Sequence, residues 1–427
     1  MKKTLIIILF LAVLSYSIGP VSYYGKLKVR EQGRAFIDGS KGHANVQVRG
    51  VSLGWSNTGW ESSRFFNKEA VHAMVDDWKA EVIRVPIGVG NHNQWCGCYL
   101  CDKTGNMERV KAAIDAALAK DVYVIIDWHS HSAHSSEEEI EAAKDFFEEM
   151  AEVYGAYDNI IFELYNEPLS VAWAEIKSYA EQIIPLIRKH SDNLILVGTP
   201  SWCQKIRAPI GNTIDDPNVG YVLHFYSRTH SLTGSPSNAW TRDSINVALS
   251  AGLPIFVTEY GTTNADGGQP PSNYNSHDAE RSDEWHAYMD SRKISSVAWN
   301  VNDKYEGSAF FGTVNRWFEP EEQAKPENWS DLDKMTASGQ YIFNKLNEYY
   351  KCVPWNPNPD ASCVTSAIMN ISAAFPSEGI FEIYSLQGKK IGEFQGSITD
   401  LKLNSGVYMI ISRQNGAKYT KILSFFK

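Results

Sequence analysis

Two glutamates stand at the ends of apolar, strand-like runs of the sequence. Glu167 lies at the end of the run Asn159–Pro168, and Glu259 lies near the end of the run Leu253–Gly261. Both runs are rich in β-branched and aromatic residues and have the length of a buried strand. Two carboxylates that face one bond can cleave a glycosidic linkage, because one donates a proton while the other attacks as a nucleophile. The pair therefore indicates glycosidase chemistry.

Five further residues suited to such a site lie at the ends of other strand-like segments. They are Arg84, His129, His224, Tyr226 and Trp299. The histidines and the two glutamates also have a structural interpretation. A strand-end histidine usually makes local hydrogen bonds, and a strand-end glutamate can form a surface salt bridge. Arg84 interrupts the apolar run Val82–Ile87, where a charge is costly unless paired, so we expect Glu259 or a structural acid as its partner. The shared position at strand ends predicts one common active site.

Strand-like and helix-like segments alternate from about residue 46 to residue 300. The predicted strands are Val46–Ser52, Val82–Pro86, Val122–Asp127, Ile160–Tyr165, Leu194–Gly198, Val219–His224, Ile255–Glu259 and Val297–Asn300. The predicted helices are Asn67–Lys79, Met107–Lys120, Glu137–Tyr154, Ala172–His190, Ser237–Ala251, His277–Arg292 and Asp333–Glu348. A short hairpin is predicted over Tyr23–Val29 and Arg34–Asp38.

This alternation predicts an α/β fold, a (β/α)8 TIM barrel with a small C-terminal all-β module. Glu167 then follows the fourth strand and Glu259 ends the seventh, at the barrel face where such enzymes carry out their chemistry. An open, doubly wound sheet is the alternative. It is disfavoured because no Gly-rich phosphate-binding turn follows the first strand.

The chain divides into four predicted parts. They are a signal peptide over residues 1–18, a catalytic domain over 19–350, a linker over 351–363 and a small β module over 364–427. The basic start and short apolar run are typical of a secretory signal, so we expect a secreted or cell-surface protein without a membrane span. The Pro-rich stretch Cys352–Asp360 indicates the linker. Short β-like runs between Gly and Asn turns indicate the β module.

Charge and cysteine content narrow the range of ligands. A net charge of -10 argues against a nucleic-acid partner.

The six cysteines are Cys96, Cys98, Cys101, Cys203, Cys352 and Cys363. An even count in an exported protein indicates disulfides, and Cys352 with Cys363 could close a small loop. The cluster Cys96–Cys101 lacks a second pair of zinc ligands, so we expect a disulfide-pinned loop there, with no metal and no cofactor. We expect the protein to be a monomer.

The motifs around the two glutamates resemble those of glycoside hydrolase family 5, in particular its bacterial endoglucanases. Asn166–Pro168 (Asn-Glu-Pro) and Thr258–Gly261 (Thr-Glu-Tyr-Gly) carry the resemblance, which extends over about residues 21–350 and includes Val46–Asn57 and Val124–His131. It implies a retaining endo-β-1,4-glucanase acting on cellulose or a related β-glucan. Glu167 would be the acid/base and Glu259 the nucleophile.

The resemblance also implies supporting roles for other residues. Arg84, His129, Asn166, His224 and Tyr226 would complete the active site, and Trp55, Trp202, Trp299, Lys304 and Glu306 would contact substrate. Arg84 and Tyr226 would hold Glu259 ionised, while a neighbouring charge and partial burial would raise the pKa of Glu167. The chain departs from some relatives at Leu53–Gly54 and in the cysteine-bearing loop after the second strand, which leaves the far wall of the cleft undefined.

Other functions are compatible with the same barrel. A mannanase, a xylanase or a xyloglucanase differs from a glucanase by few residues. A catalytically inactive glycan-binding protein or a structural surface protein is a further alternative, although the presence of both glutamates and Arg84 argues against it.

The C-terminal segment resembles the sorting domain of type IX secretion cargo. The residues that carry this resemblance are Ile383–Ile391, Leu403–Tyr408 and Lys418–Ile422. It implies secretion machinery as a partner. A sugar-binding module is the alternative, but such modules usually expose several aromatic side chains, and this segment contains no Trp.

Overall fold

The computed structural model describes most of the chain. The described residues are 18–32, 34–59, 61–90, 97–234, 240–268, 276–312, 329–360, 378–385, 390–397, 406–414 and 417–425. They form two compact units that divide between Leu346 and Asn347. Residues 1–17 of the predicted signal peptide lie outside the described residues, as do Cys96 and Cys363.

The first unit begins with a short helix and a hairpin. Helix α1 spans Pro20–Tyr24, and strands β1 (Leu27–Val29) and β2 (Ile37–Gly39) pair antiparallel. The predicted hairpin is therefore present but begins later than expected. Pro20 favours the first turn of a helix, and the helix that it starts includes Tyr23 and Tyr24, where the hairpin was predicted to begin. Apolar side chains of both strands pack with Val82 and other residues at the start of the barrel strands. The hairpin thus covers the amino-terminal end of the barrel.

Eight parallel strands close into a barrel in the order β10-β3-β4-β5-β6-β7-β8-β9. They are β3 (Arg49–Leu53), β4 (Val82–Gly88), β5 (Tyr123–His129), β6 (Ile160–Glu163), β7 (Ile195–Gly198), β8 (Val219–Tyr226), β9 (Ile255–Gly261) and β10 (Ser295–Val301). All residues of β4 to β10 are buried, as is typical of strands covered on both faces. The predicted TIM barrel is confirmed, and its fourth and seventh strands are β6 and β9.

Helices alternate with these strands. They are α2 (Lys68–Asp76), α3 (Lys103–Leu118), α4 (Glu137–Tyr154), α5 (Trp173–Arg188), α6 (Pro200–Cys203), α7 (Arg242–Ser250), α8 (Ala279–Arg292) and α9 (Ala337–Tyr350). Segment α6 is a single short turn with a left-handed backbone rather than a regular helix. Helix α4 has the predicted bounds, while α3 begins four residues earlier than predicted because Asp102 caps it by accepting from the Gly105 amide. Among the described residues, no helix combines the length and the apolar character that crossing a membrane requires.

The second unit contains a four-stranded antiparallel sheet in the order β12-β11-β13-β14. Its strands are β11 (Glu378–Ser385), β12 (Lys390–Ser397), β13 (Gly406–Gln414) and β14 (Ala417–Phe425). Phe381, Ile383, Ile410 and Ile411 are buried in it. The predicted all-β character is therefore present. Cys352, which precedes this sheet, is disulfide-bonded, and its predicted pairing with Cys363 stays a prediction.

A buried acid at the start of β4 predicts a pH dependence of stability. Glu81 is buried and accepts a hydrogen bond of 2.9 Å from the Arg49 amide, and burial raises its pKa to about 7. A carboxyl whose pKa is raised by folding contributes stability at low pH that is lost as pH rises through the folded value. From pH 5 to pH 8 the wild type should lose about 2–3 kcal/mol more unfolding free energy than Glu81→Gln.

Denaturant unfolding of both proteins at the two pH values measures this difference. Parallel losses in the wild type and in Glu81→Gln would contradict it.

Candidate active site

The carboxyl ends of the barrel strands surround a cleft of about 270 Å³. Of the residues predicted from sequence, those that line it are Trp55, His129, Asn166, Glu167, Tyr226, Glu259, Trp299, Lys304 and Glu306. Arg84 and His224 are buried beside it and bond to lining residues. Trp202 lies outside the lining and is 46% exposed.

The guanidinium of Arg84 is fully buried among three carboxylates. It donates to Glu163 Oε2 at 2.8 Å and to Glu259 Oε2 at 3.0 Å, and it lies 2.9 Å from Asp127 Oδ2. A further bond of 2.6 Å goes to Asn166 Oδ1. Burial alone would lower the pKa of Arg84, but the three carboxylates outweigh it and raise that pKa. The expected pairing of Arg84 is confirmed, and its partners include both Glu259 and the structural acids Asp127 and Glu163.

Two of these acids received no role from the sequence. Burial raises the pKa of Asp127 to about 7, and it also raises the pKa of Glu163 above its ordinary value. One cation cannot offset three charged acids in a dry interior, so near neutral pH part of this group retains a proton. The signal for Glu163 was present, since it ends the apolar segment Ile160–Glu163 just as Arg84 interrupts its own.

Each oxygen of Glu259 faces one hydrogen-bond donor. Tyr226 Oη donates to Oε1 at 2.9 Å, and Arg84 donates to Oε2. Burial and the nearby Glu259 charge raise the pKa of the Tyr226 hydroxyl well above its usual value. Tyr226 therefore stays a neutral donor throughout the working range of pH.

Glu167 lies four residues beyond the end of β6. Its segment is held by a 3.2 Å hydrogen bond from the backbone N–H of Asn166 to the backbone carbonyl of Trp128. Its Oε1 lies 3.0 Å from His224 Nδ1, and its Oε2 lies 3.4 Å from His131 Nε2. The carboxyl thus lies between two imidazole rings.

Thr258 determines which nitrogen of His224 carries a proton. The Thr258 hydroxyl donates to Glu163 Oε1 at 2.7 Å, so it accepts from His224 Nε2 at 2.9 Å. A neutral His224 then presents a lone pair at Nδ1 toward Glu167. The bond between Nδ1 and Oε1 therefore needs an additional proton, carried by either His224 or Glu167.

The environment of Glu167 corrects one expectation from the sequence. Burial alone would raise the pKa of this carboxyl, but hydrogen bonds from His131 and His224 outweigh burial and lower it below the ordinary value. Conversely, burial disfavours a charged His131, yet the Glu167 carboxylate outweighs burial and raises the pKa of that imidazole. The predicted rise in the pKa of Glu167 is therefore wrong for the free protein, because His131 was given no role.

His129 belongs to an aromatic wall of the cleft. Its ring stacks on Trp299 with centroids 5.4 Å apart and meets the edge of Trp55 at 4.5 Å. Its Nδ1 lies 2.6 Å from Asp127 Oδ2. Burial and the charge of Arg84 lower the pKa of His129 well below the usual value, so the ring is neutral. It orients the two tryptophans and contacts Asp127.

Two loops form the far wall of the cleft. Lys304 Nζ lies 3.3 Å from Glu306 Oε2 in the loop after β10. The backbone of that loop donates to the loop after β9, from Gly307 to Gly268 and from Ser308 to Gly267, at 3.0 and 2.8 Å. The cleft-lining residues Ala265, Asp266 and Gly267 of the second loop were not predicted from sequence.

Trp202 is presented beside the Glu167 segment by an unusual turn. Ser201, Trp202 and Cys203 all have left-handed backbone conformations, with φ of 60°, 54° and 56°. Such conformations are costly for residues other than glycine. The Trp202 amide donates to the Pro168 carbonyl at 2.9 Å, which places its exposed ring next to the segment that carries Glu167.

Within the described parts of the chain, one group of side chains has the arrangement of metal ligands. Donor atoms of Glu167, His224 and Glu259 lie within 4.8 Å of one another. Both nitrogens of His224 and both oxygens of Glu259 already have partners in the protein. A cation would have to displace Arg84, Tyr226 or the proton near Glu167, so the donor set fits acid–base chemistry better than metal binding.

The family model for cellulase (glycosyl hydrolase family 5) matches residues 39–305. The chain belongs to glycosyl hydrolase family 5. This family 5 chain is 41% identical to endoglucanase Z of Dickeya dadantii over 64% of its own length and 61% of the relative. It is 33% identical to a cellulase of a Thermoanaerobacterium species, over 79% of the chain and 84% of the relative.

Solved structures agree with this membership. The catalytic domain of an endoglucanase from Thermobifida fusca is similar to the family 5 chain with a TM-score of 0.64 at 29% identity, covering 77% of the chain and 99% of that domain. The chain spans about three fifths of the length of the first curated relatives that it matches.

The hydroxyl of Thr258 links the two halves of the site and can be tested by substitution. Thr258→Val keeps the shape but leaves His224 Nε2 without its acceptor and removes one of the donors to Glu163, so unfolding free energy should fall by about 1–3 kcal/mol. Thr258→Ser keeps the hydroxyl and should lose less. Denaturant unfolding measures both, and equal stability of the two variants would contradict the assigned hydrogen bonds.

Proposed function

We propose that this family 5 chain is a secreted, retaining endo-β-1,4-glucanase that cuts internal bonds of cellulose or related β-glucans. The observation that carries the proposal is the proximity of Glu167 and Glu259, because one carboxylate oxygen of Glu167 lies within 4.8 Å of one carboxylate oxygen of Glu259. Retaining glycosidases hold their two carboxyl groups about 5–5.5 Å apart, whereas inverting enzymes leave about 6.5–9.5 Å for a water molecule. The short separation favours direct attack by one carboxylate.

Glu259 is the proposed nucleophile. Arg84 and Tyr226 hold one oxygen each, so the carboxylate is fixed in orientation before substrate arrives. One oxygen attacks the anomeric carbon, the bond to the leaving oxygen breaks, and a covalent glycosyl-enzyme forms. Water then attacks the same carbon and releases Glu259.

Glu167 is the proposed acid/base. It transfers a proton to the leaving oxygen in the first step and accepts one from the attacking water in the second. Its hydrogen bonds with His131 and His224 keep a proton within reach, although they lower its pKa in the free protein. The Asn166 amide, whose oxygen is held by Arg84, can donate to a sugar hydroxyl beside the cut bond.

The assignment of the substrate is based on the relatives and on the cleft walls. The relatives described above are named as endoglucanases or cellulases. Trp55 and Trp299 offer faces on which pyranose rings can stack, and Lys304 with Glu306 offers hydrogen bonds on the same side. Exposed Trp202, beside the Glu167 segment, is the proposed contact on the leaving-group side.

We also propose how the chain reaches its substrate. Residues 1–18 would direct export, residues 19–350 would form the catalytic domain, and residues 351–363 would link it to the module over 364–427. The antiparallel sheet of that module is compatible with a type IX sorting domain, and we propose secretion machinery as its partner. Loss of export on deletion of residues 364–427 in the native host would support this role.

Replacement of Glu259 tests its proposed role as the nucleophile. Glu259→Gln should reduce hydrolysis of carboxymethyl cellulose by at least about a thousand-fold, because no covalent intermediate can form. Circular dichroism should show an intact fold. Reducing-sugar release on soluble glucan, mannan and xylan measures both activity and preference. Turnover by Glu259→Gln near the wild-type rate would refute the nucleophile, and faster hydrolysis of mannan or xylan would refute the glucan preference.

The stereochemistry of the first product tests the retaining mechanism. Two successive displacements at the anomeric carbon restore its configuration. Proton NMR during the first minutes of cello-oligosaccharide hydrolysis should therefore show the β-anomer before mutarotation produces the α-anomer. Initial appearance of the α-anomer would establish inversion instead.

A further inference from the structure

The carboxyl of Glu167 is flanked on both oxygens by histidines that differ in their surroundings. His224 is almost fully buried and is tied through Thr258 to Glu163. The His131 side chain is 24% exposed, lines the cleft and lies 3.4 Å from Glu167 Oε2. Of the two rings, only His131 can exchange a proton directly with solvent in the cleft.

The charges around His131 favour a proton on this ring. Three carboxylates act on it from the barrel strands and the segment after β6, namely Asp127, Glu259 and Glu167 itself. Glu139 interacts with it from α4. The nearby cation Arg84 is itself paired with Asp127, Glu163 and Glu259, and the neighbouring His129 is neutral. The rings of Trp55 and His131 pack in a T-shaped arrangement with their centroids 5.9 Å apart, which limits the positions of the His131 imidazole.

We propose that His131 is a positioning residue that shares one proton with Glu167 and so keeps the acid/base supplied through the catalytic cycle. This inference rests on the proposed role of Glu167. It assigns a function to a side chain in the loop after β5, whereas Glu167 itself lies in the segment after β6.

The proton balances over one turnover. Before reaction the pair of Glu167 and His131 holds one proton. Glu167 gives that proton to the leaving oxygen as the glycosidic bond breaks, and the pair is then a carboxylate beside a neutral imidazole. When water attacks the glycosyl-enzyme, its proton passes to Glu167, and the pair returns to its initial state. No further reactant is needed.

The sharing has a measurable consequence at alkaline pH. In the wild type the last proton of the pair is held jointly, and the pKa of His131 is raised. Glutamine at position 131 can still donate a hydrogen bond to Glu167 Oε2 but cannot bind a proton. Without His131, the proton is left to Glu167 and the buried His224, and the glutamine donor stabilises the charged form of Glu167. The loss of activity on the alkaline side should therefore begin at a lower pH in His131→Gln than in the wild type.

The test compares His131→Gln with wild type and with His134→Gln. His134 is the matched control, because it lies in the same loop and its Nδ1 lies 3.0 Å from Tyr165 Oη instead of Glu167. For carboxymethyl cellulose, the alkaline limb of kcat/KM should move down by about one pH unit in His131→Gln, roughly a tenfold loss at pH 8. It should not move in His134→Gln. An unchanged or upward-shifted limb in His131→Gln would overturn the proposal.

Two controls separate this proposal from others. His131→Asn, which also cannot bind a proton, should show the same shift if His131→Gln folds poorly. Dinitrophenyl cellobioside has a leaving group that needs no proton, so Glu167→Gln should retain glycosylation of this substrate in a rapid burst. Absence of that burst would refute the role of Glu167, whereas a burst combined with an unshifted limb in His131→Gln would refute only the role of His131.

Discussion

The buried guanidinium of Arg84 is the interaction on which the site depends. Burying a charge in a barrel interior is unfavourable by several kcal/mol unless charged and hydrogen-bonding groups surround it. Here the partners come from the third, fourth and seventh barrel strands, as Asp127, Glu163 and Glu259. Each must hold its position for the others to be satisfied, so one cation fixes the relative placement of strands that are far apart in the chain. The amide of Asn166 is held by the same group, which extends the constraint to the segment carrying Glu167.

This constraint gives two residues of the same type different surroundings. Glu259 faces a cation and a phenol that both donate to it, and neither can accept its proton. Glu167 faces two imidazoles, which can hold or release a proton. Thr258 joins the two environments, because its hydroxyl contacts both His224 and the Arg84 partner Glu163. The difference between a nucleophile and an acid/base in the proposed mechanism thus follows from which neighbours can exchange protons.

The sequence was sufficient for the barrel and for most side chains at its open end. Alternating periodicity located all eight strands, and Arg84 was found because an isolated charge within an apolar run requires a partner. The sequence was not sufficient where contacts depend on distance in space. Asp127 lay within a recognised motif and Glu163 lay close to another, yet only the closed barrel shows that they share one cation. The contact of His131 with Glu167 joins two loops after neighbouring strands, and without it the direction of the pKa shift of Glu167 was predicted wrongly. The left-handed turn at Ser201–Cys203 has no signal in residue types, since none of the three is glycine.

In the proposed mechanism Glu259, held by Arg84 and Tyr226, forms a covalent bond to the sugar. Chemical trapping of this intermediate is the decisive experiment. A 2-deoxy-2-fluoro-cellobioside with a dinitrophenyl leaving group reacts with a retaining enzyme but releases the sugar slowly, so the intermediate accumulates. Mass spectrometry of the intact protein should show one added fluoro-cellobiosyl group, and peptide sequencing should place it on Glu259. A label on Glu167, or an unlabelled protein that hydrolyses β-glucan normally, would refute Glu259 as the nucleophile.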